Sequence, residues 1–366
     1  MTGLSGWVLT SSGFQTGTLT FEGRVQHFEP QDLSGNLPHV VPGFLDVHVH
    51  GGGGFDVMDG PEGILGMARF HAQHGTTSLL ATTMTRPWEQ VLQALSDIQQ
   101  VMGTSAKGAA QVLGAHLEGP FISPHRLGAQ PDFTLEPTPE RVQEVLQVGC
   151  IRLVTLAPEL PNALEAIKTF ADHGVRVSMG HTAGNENHVL EAVAHGARGC
   201  THTFNATGGL TGREPGVLGA VLTCPEVQAE VILDFHHVHP LSFKLLHTLK
   251  PEATLLITDA MRAAGLPDGV YDLGGQAVQV KEGVTRTLSG SLAGSVLTMD
   301  QAVRNAVECG VALEEAVRMA SRYPARHLGL QHKGEIKVGH DADLVVLDTG
   351  LQVQQVYIKG QAVLPA

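Results

Sequence analysis

Histidine and carboxylate side chains follow short apolar segments at several separate places in this chain. These residues are His48, His50, Glu118, His181 and His202. Imidazole and carboxylate groups can hold a divalent first-row metal while leaving one position open for water. Residues two apart in a strand point to the same side, so the rings of His48 and His50 can reach one ion. A single histidine at a strand end is more often a structural residue, but so many in one chain predict a metal site.

Asp259 closes a later apolar segment, in the sequence ITDAM, and we predict a different role for it. A carboxylate beside a metal can accept a proton from the attacking water and pass that proton to the leaving group. The alternative is that Asp259 caps a following helix. Asp259 is therefore the candidate catalytic acid and base.

Two loop segments could bind the rest of a substrate. Arg213 lies in the sequence TGREPG, and its planar guanidinium suits a phosphate or carboxylate, although a lone arginine is more often a surface residue. Residues 289–295 (SGSLAGS) precede a predicted helix, where backbone N–H groups can bind an anion or a polar sugar group. This segment lacks the spacing and the lysine of a P-loop, so nucleotide binding is not expected.

Short apolar runs alternate with longer amphipathic segments through most of the chain, which is typical of repeated βα units. Eight candidate strands cover residues 41–48, 77–84, 111–118, 151–157, 175–181, 198–202, 229–234 and 254–259. Gly75, Gly174 and Gly196 are predicted to follow helix ends. In a (β/α)8 barrel the catalytic groups lie at the carboxyl ends of the strands, where the candidate ligands fall. The sequence therefore predicts an α/β protein with a TIM-type (β/α)8 barrel.

The two ends of the chain have a different pattern, with short β-like segments separated by glycine and polar turns. Neither end has enough strands to bury a sheet face alone, so we expect both to join in one small β-sandwich-like domain. The predicted division is residues 1–41 and 335–366 for this discontinuous domain and residues 42–334 for the barrel. A hairpin-like insertion is predicted at 270–288, with helices at 296–308 and 313–328.

The composition restricts the class of protein and its partners. The 366 residues include 23 basic and 36 acidic side chains, a formal charge of −13, which argues against a nucleic-acid or anionic-membrane partner. Hydrophobic residues make up 42% of the chain, enough for a large core. The 4 cysteines lie far apart without a CxxC pair, so we expect reduced thiols. Without a signal-peptide pattern or an apolar run of membrane-spanning length, we predict a cytoplasmic protein.

Seven sequence motifs extend from one end of the predicted barrel to the other. They are PGFLDVHVHGGGG, GAHLEGPFIS, MGHTAG, THTFNATGGLTGREPG, LDFHHVHP, ITDAMRAAG and SLAGS. Together they resemble the N-acetylglucosamine-6-phosphate deacetylases of the amidohydrolase superfamily, and the resemblance includes the terminal β segments. It implies hydrolysis of N-acetyl-D-glucosamine 6-phosphate to D-glucosamine 6-phosphate and acetate, in amino-sugar catabolism or recycling.

The resemblance also implies how the candidate ligands are used. Glu118, His181 and His202 would hold one metal ion. A second position would be formed by His48 and His50, with Glu118 bridging and Asp259 nearby. One or two divalent ions per subunit are therefore expected, with zinc as the first candidate and iron, manganese, cobalt or nickel as alternatives.

Further residues are implied at the substrate. The predicted sugar-site residues are Ala129, Asn205, Ala206 and Asp234, and the acetyl and sugar end would be lined by Leu292, Ala293 and Gly294. Arg213 and His237 would bind the 6-phosphate, with His237 reaching across from the partner subunit of a homodimer.

Three alternatives stay open from the sequence. The motifs favour a phosphosugar over a cyclic amide but do not separate epimers, so deacetylation of N-acetylgalactosamine 6-phosphate is one alternative. Another amidohydrolase reaction of the same superfamily is the second. The third is a non-catalytic barrel kept as a binding protein, which predicts lost ligands, whereas every expected ligand position is filled here.

Overall fold

The computed structural model describes residues 2–104 and 106–363, and strands and helices alternate through most of that length. The elements, in chain order, are β1 (Thr2–Thr10), β2 (Gly13–Phe21), β3 (Val25–Pro30), β4 (His39–Pro42), β5 (Phe44–Val49), β6 (Gly51–Gly52), β7 (Phe55–Asp56), α1 (Pro61–Gln73), β8 (Thr76–Thr82), α2 (Trp88–Val101), β9 (Gln111–Glu118), α3 (Pro139–Val148), β10 (Ile151–Leu156), α4 (Ala163–Asp172), β11 (Arg176–Met179), α5 (Glu186–Ala194), β12 (Gly199–Cys200), α6 (Gly216–Thr223), β13 (Gln228–Ile232), α7 (Pro240–Leu249), β14 (Thr254–Ile257), β15 (Gly269–Leu273), β16 (Gln276–Lys281), β17 (Val284–Thr287), α8 (Met299–Glu308), α9 (Leu313–Ala320), α10 (Arg322–His327), β18 (Leu344–Leu347), β19 (Val353–Ile358) and β20 (Gln361–Val363).

Eight parallel strands form one continuous sheet in the order β5, β8, β9, β10, β11, β12, β13 and β14. The sheet closes on itself beyond the ends of its first and last strands. There the carbonyl of His48 accepts a hydrogen bond from the backbone N–H of Asp259, and the N–H of His50 donates to the carbonyl of Ala260, each at 2.9 Å. Strands such as β8 are buried along their whole length, as expected when helices cover a parallel sheet. The predicted (β/α)8 barrel is confirmed.

Several helices end where glycine was predicted to end them. Gly75, Gly174 and Gly196 have φ of 87°, 76° and 115°, which is the left-handed region that glycine enters without steric cost. Each of their N–H groups donates to a carbonyl three residues back. These glycines turn the chain from a helix into the next barrel strand, so the spacing of the strands follows from local sequence signals.

A seven-stranded sheet lies outside the barrel, with strands in the order β20, β19, β18, β4, β1, β2 and β3. It unites the two ends of the chain, as predicted, and has a small apolar core that includes Val8, Leu19, Phe21 and Leu344. The predicted domain boundaries at residues 41/42 and 334/335 stay a prediction.

Three elements differ from the sequence-based expectation. Residues 41–48 are not one strand, because β4 pairs with β1 and β18 in the outer sheet whereas β5 belongs to the barrel. Gly43 separates them and packs so closely on Thr77 that a Cβ there would lie 2.2 Å from the Thr77 hydroxyl oxygen. The insertion predicted as a hairpin is a three-stranded antiparallel sheet of β15, β16 and β17. The predicted helix at 313–328 is broken at Ser321, where φ is −139°.

Within the described part of the chain, every helix is too short or too polar to span a membrane.

Candidate active site

The five predicted metal ligands converge at the carboxyl end of the barrel, around one shared carboxylate. Oε1 of Glu118 lies 3.1 Å from Nε2 of both His181 and His202. Its other oxygen, Oε2, lies 3.1 Å from Nε2 of His50 and 3.4 Å from Nε2 of His48. The two histidine pairs therefore face opposite oxygens of the same side chain, which is an arrangement suited to two adjacent cations.

Asp259 completes one side of this cluster. Its Oδ1 lies 3.2 Å from Nε2 of His50 and 3.5 Å from Nε2 of His48. The carboxylate borders the same cavity as Glu118, so it faces the space where a substrate would enter. The alternative that Asp259 caps a helix does not hold, because no helix starts after it among the described residues until Met299.

Hydrogen bonds at Nδ1 of three histidines fix which ring nitrogen acts as the donor. Nδ1 of His181 lies 2.9 Å from the carbonyl oxygen of Arg126, and Nδ1 of His50 lies 3.1 Å from that of Thr82. Nδ1 of His48 lies 3.1 Å from a carboxylate oxygen of Glu230. Because all three acceptors can only accept, each Nδ1 is the donor, and the lone pair of each Nε2 is left to bind either a proton or a metal ion.

These lone pairs point at one another and at a carboxylate. Nε2 of His48 is 3.3 Å from Nε2 of His50, and Nε2 of His181 is 3.0 Å from Nε2 of His202. Lone pairs at such distances repel unless a cation lies among them. The candidate ligand atoms in each group of three lie within 4.8 Å of one another and are buried. Buried nitrogen and oxygen donors of this kind fit a divalent first-row metal ion.

The electrostatics of the cluster also demand positive charge. Burial alone would lower the pKa of His50, but the carboxylates of Asp259 and Glu118 outweigh burial and raise it to about 9. Burial alone would raise the pKa of Glu118, but the surrounding histidines reverse this and hold it well below its usual range. The carboxylates are therefore ionised, and the cluster attracts a cation.

Three of the candidate ligands have backbones in the left-handed region. The φ angles of His181, His202 and Asp259 are 47°, 29° and 48°. Non-glycine residues held in sparsely populated regions of this kind cost about 1–3 kcal/mol each. Hydrogen bonds hold the strained turn at Asp259, since its carbonyl accepts from the N–H of Ser295 at 2.8 Å and its own N–H donates to His48. Such strain is concentrated at functional sites, where it aims side chains inward.

Two polar residues of the cluster were missed by the sequence analysis. Glu230 on β13 is buried and holds His48, as described above. Gln130 accepts a hydrogen bond from the N–H of Thr85 and donates to Oε2 of Glu118, both at 2.8 Å. A glutamate inside the apolar run AEVIL was a usable signal for Glu230, because charge in a barrel strand points to the interior. Gln130 lies in an irregular loop, where no periodicity marks its direction.

A cavity opens directly above the cluster, and most of the predicted substrate residues line it. From that set they are Ala129, Asn205, Ala206, His237, Leu292 and Gly294, and the wall also contains Met84 and Leu273. Ala293 is fully buried behind the wall in a small apolar cluster. Asp234 does not line the cavity, but its Oδ2 accepts from Nδ1 of His237 at 2.7 Å, so it acts by orienting that ring.

The predicted phosphate residues lie in different surroundings. His237 was expected to enter the site from a partner subunit, but its ring lines the cavity of its own chain, because Asp234 of the same loop holds it there. Arg213 is exposed on the loop after β12 and does not line the cavity. Among the described residues, no lysine or arginine lines this cavity. Within one chain, an anion in this cavity would therefore meet His237 but no guanidinium or ammonium group of the described residues.

A (β/α)8 barrel with histidines and carboxylates at the carboxyl ends of its strands is typical of the class of metal-dependent barrel hydrolases. The sequence pattern of the Amidohydrolase family matches residues 39–363. The chain therefore belongs to the amidohydrolase family, as the motifs predicted.

Relatives with assigned activities match over most of the chain. An N-acetylgalactosamine-6-phosphate deacetylase of Escherichia coli O157:H7 is 45% identical over 88% of this chain and 87% of its own length. An N-acetylglucosamine-6-phosphate deacetylase of Lysinibacillus sphaericus is 41% identical over 92% of this chain and 89% of its own. The structure also resembles that of a mutant Mycobacterium smegmatis N-acetyl-D-glucosamine-6-phosphate deacetylase in complex with N-acetyl-D-glucosamine-6-phosphate. That match has a TM-score of 0.91 at 36% identity and covers 99% of both chains.

Proposed function

We propose that this protein is a metal-dependent deacetylase that hydrolyses N-acetyl-D-glucosamine 6-phosphate to D-glucosamine 6-phosphate and acetate. The observation that carries the proposal is the meeting of two histidine pairs on the two oxygens of Glu118, beside Asp259 and beneath an open cavity. Relatives that are 36–41% identical and act on this sugar phosphate support the choice of substrate. Under this proposal the protein serves amino-sugar catabolism or recycling, and its cytoplasmic location stays a prediction.

The metal positions follow from the donor atoms. Glu118, His181 and His202 would hold one ion, and His48 and His50 would hold a second with the other oxygen of Glu118 and with Asp259. Zinc is the first candidate because it favours histidine and carboxylate ligands, and iron, manganese, cobalt and nickel are alternatives. When bound, such an ion lowers the pKa of water and polarises the amide carbonyl.

The chain's own residues would move the proton and hold the substrate. Asp259 accepts a proton from the attacking water and donates it to the amide nitrogen as the C–N bond breaks. Burial alone would raise the pKa of Asp259, but His48 and His50 lower it, so the carboxylate is ionised and ready to act as a base. The cavity wall at Leu292 and Gly294 would enclose the acetyl group, and that at Asn205 would meet the sugar.

We further propose a homodimer that brings Arg213 to the substrate phosphate. Leu241, Leu245 and Leu249 recur every four residues on α7 and are 71%, 50% and 50% exposed, so they form an apolar stripe on one helix face. Leu210, on the same loop as Arg213, is 52% exposed. Because α7 begins directly after His237 and His239, a second copy docked on this stripe would lie close to the cavity.

The dimer can be tested by light scattering coupled to gel filtration. Leu245→Glu should convert a dimer to a monomer, whereas Leu266→Glu, which changes an exposed leucine outside this helix, should not. If the unmodified protein is a monomer at micromolar concentration, the dimer proposal fails. The monomeric variant should also bind the phosphosugar more weakly, because its Arg213 could not be supplied by a partner.

The activity can be tested by measuring acetate release from a panel of N-acetylhexosamines, each with and without a 6-phosphate. N-acetylglucosamine 6-phosphate should be the best substrate, with a clear loss when the phosphate is missing. Metal removal by a chelator should abolish the reaction, and added zinc should restore it. Equal rates with and without phosphate would contradict the assignment of the substrate class, and acetate release by the metal-free protein would contradict the metal dependence.

A second candidate is deacetylation of N-acetylgalactosamine 6-phosphate. The observation that favours it is the relative with that activity, which is 45% identical over 328 residues. The two sugars differ only in the orientation of one hydroxyl group. A higher kcat/KM for the galactosamine substrate in the same panel would establish this alternative.

A further inference from the structure

A buried carboxylate lies behind one of the two proposed metal positions. Glu230 is 1% exposed and sits on β13, within the interior of the barrel. Its Oε2 accepts from Nδ1 of His48 at 3.1 Å and from the backbone N–H of His202 at 3.4 Å. Its Oε1 has no hydrogen-bond partner among the described residues. Glu230 does not line the cavity, so it has no direct contact with a substrate there.

The other oriented histidines are held differently. His50 and His181 donate from Nδ1 to the backbone carbonyls of Thr82 and Arg126, which are neutral acceptors. His48 alone among these three donates to a carboxylate. A neutral acceptor would orient the ring equally well, and burying a carboxylate in a barrel is unfavourable unless a cation compensates it. The charge of Glu230 therefore needs an explanation beyond the orientation of His48.

The effect of a charged acceptor on the imidazole of His48 explains why a carboxylate lies there. A carboxylate that accepts from Nδ1 raises the electron density and the basicity of Nε2, so the ring becomes a stronger metal ligand. The nearby ion in turn compensates the buried charge of Glu230. The effect is strongest at the ion bound through His48, because Nδ1 of His202 lacks a hydrogen-bond partner among the described residues and Glu230 contacts only the backbone of that residue.

We propose that Glu230 is a positioning residue that selectively strengthens metal binding at the His48 and His50 position. The inference rests on the proposed metal-dependent function. It predicts that the two positions differ in affinity. A histidine of one position donates to a charged carboxylate, whereas a histidine of the other donates to a neutral backbone carbonyl. Loss of the Glu230 charge would therefore convert a two-ion protein into a one-ion protein under limiting metal.

The test is Zn²⁺ binding to the metal-free protein, followed by competition with a chromophoric chelator that resolves two binding steps. Glu230→Gln keeps an oxygen that can accept from His48 and removes only the charge. We expect one step to weaken by about 10- to 100-fold, as when other outer partners of metal ligands are changed, and the second step to change far less. The metal content after dialysis should fall toward one ion per chain.

Matched variants identify which step has changed. His48→Ala should weaken the same step as Glu230→Gln, and His181→Ala should weaken the other. Asp300→Asn removes a different buried carboxylate, on α8, and should leave both steps intact. Glu230→Asp keeps the charge but shortens the side chain, so it should retain part of the affinity. If Glu230→Gln does not fold, as judged by the melting of the metal-free protein, Glu230→Asp tests the contact with His48 through its distance instead, and it should weaken the His48 step more than the other; equal changes in both steps would overturn the proposal.

The kinetic readout separates positioning from substrate binding. At limiting zinc the kcat of Glu230→Gln should fall while its KM for the phosphosugar stays within about twofold, since the residue does not line the cavity. Equal weakening of both steps, or no weakening of either, would overturn the proposal. If the unmodified protein binds two zinc ions with the predicted variant pattern but releases no acetate, the proposed function fails and the role of Glu230 stands.

Discussion

Replacing Asp259 by asparagine separates its proton transfers from the shape of the site. The residue has φ of 48° and is 8% exposed, and asparagine tolerates this left-handed conformation better than most residues. The amide oxygen can remain within reach of His50, whose Nε2 lies 3.2 Å from Oδ1 in the native site. We therefore expect Asp259→Asn to fold and, at saturating zinc, to keep both ions through the amide oxygen, so that the activity then reports the loss of basicity.

The size of the loss follows from the number of steps that Asp259 would serve. A positioned acid or base contributes about 10²- to 10⁴-fold to a rate, and Asp259 would act in both the attack and the departure of the amine. We expect a fall in kcat of about 10³-fold, in the middle of that range, which is equivalent to about 4 kcal/mol in the barrier. Acetate release under saturating substrate measures it, with zinc content determined on the same sample.

The matched control is Asp300→Asn, which changes a buried aspartate on α8, away from the cavity. It should melt at a lower temperature, because Asp300 pairs with Arg304 at 2.9 Å, but its kcat should be unchanged. An Asp259→Asn protein with full metal content and a kcat within tenfold of the unmodified protein would refute the role of Asp259 in proton transfer.

Three further predictions concern the ligands, the phosphate and the dependence of stability on pH. Glu118→Gln should lose both ions to a weak chelator, because both histidine pairs contact that carboxylate; retention of two ions on dialysis would contradict the shared-ligand geometry. Arg213→Ala should raise KM for the phosphorylated sugar with little change for the unphosphorylated one, and equal losses on both would remove its phosphate role. Burial lowers the pKa of His327 to about 3, so between that value and its unfolded pKa of about 6.5 the unfolded state binds the extra proton. The contribution of His327 to the free energy of unfolding is fully present above about pH 6.5, and it falls with decreasing pH by up to about 1.4 kcal/mol per pH unit. Urea unfolding at pH 7, 6 and 5 should therefore show a smaller loss of stability in His327→Gln than in the unmodified protein. Identical losses in the two proteins would argue against this linkage.

Local sequence signals were sufficient to predict the barrel and the grouping of the candidate ligands. The period of apolar residues and the glycines after helices located the eight strands, and the rule that barrel sites lie at the carboxyl ends of strands then brought Glu118, His181 and His202 together. These ligands lie far apart along the chain, so their convergence depended on recognising the fold. The convergence could be predicted because each candidate ligand lies at the carboxyl end of a barrel strand or within two residues of it.

The remaining features depend on contacts that no short segment encodes. The apolar run at 41–48 continues through Gly43, and only pairing with β18 shows that its first residues belong to another sheet. Ser321 interrupts an amphipathic pattern because the chain turns there to pack α10, which the pattern does not reveal. The direction of His237 is set by Asp234 within one loop, a contact that the resemblance, which placed this ring in the site of a partner subunit, did not include.

The junction between β5 and β14 has a consequence for how the protein reaches its active state. The backbone bonds that seal the barrel join His48 to Asp259 and His50 to Ala260, so the same few residues form both this closure and one of the proposed metal positions. During synthesis His48 and His50 leave the ribosome long before Asp259 does. The position that they form cannot be completed until the last strand has joined the sheet and the barrel is closed. An ion bound there would link the first strand of the barrel to the last.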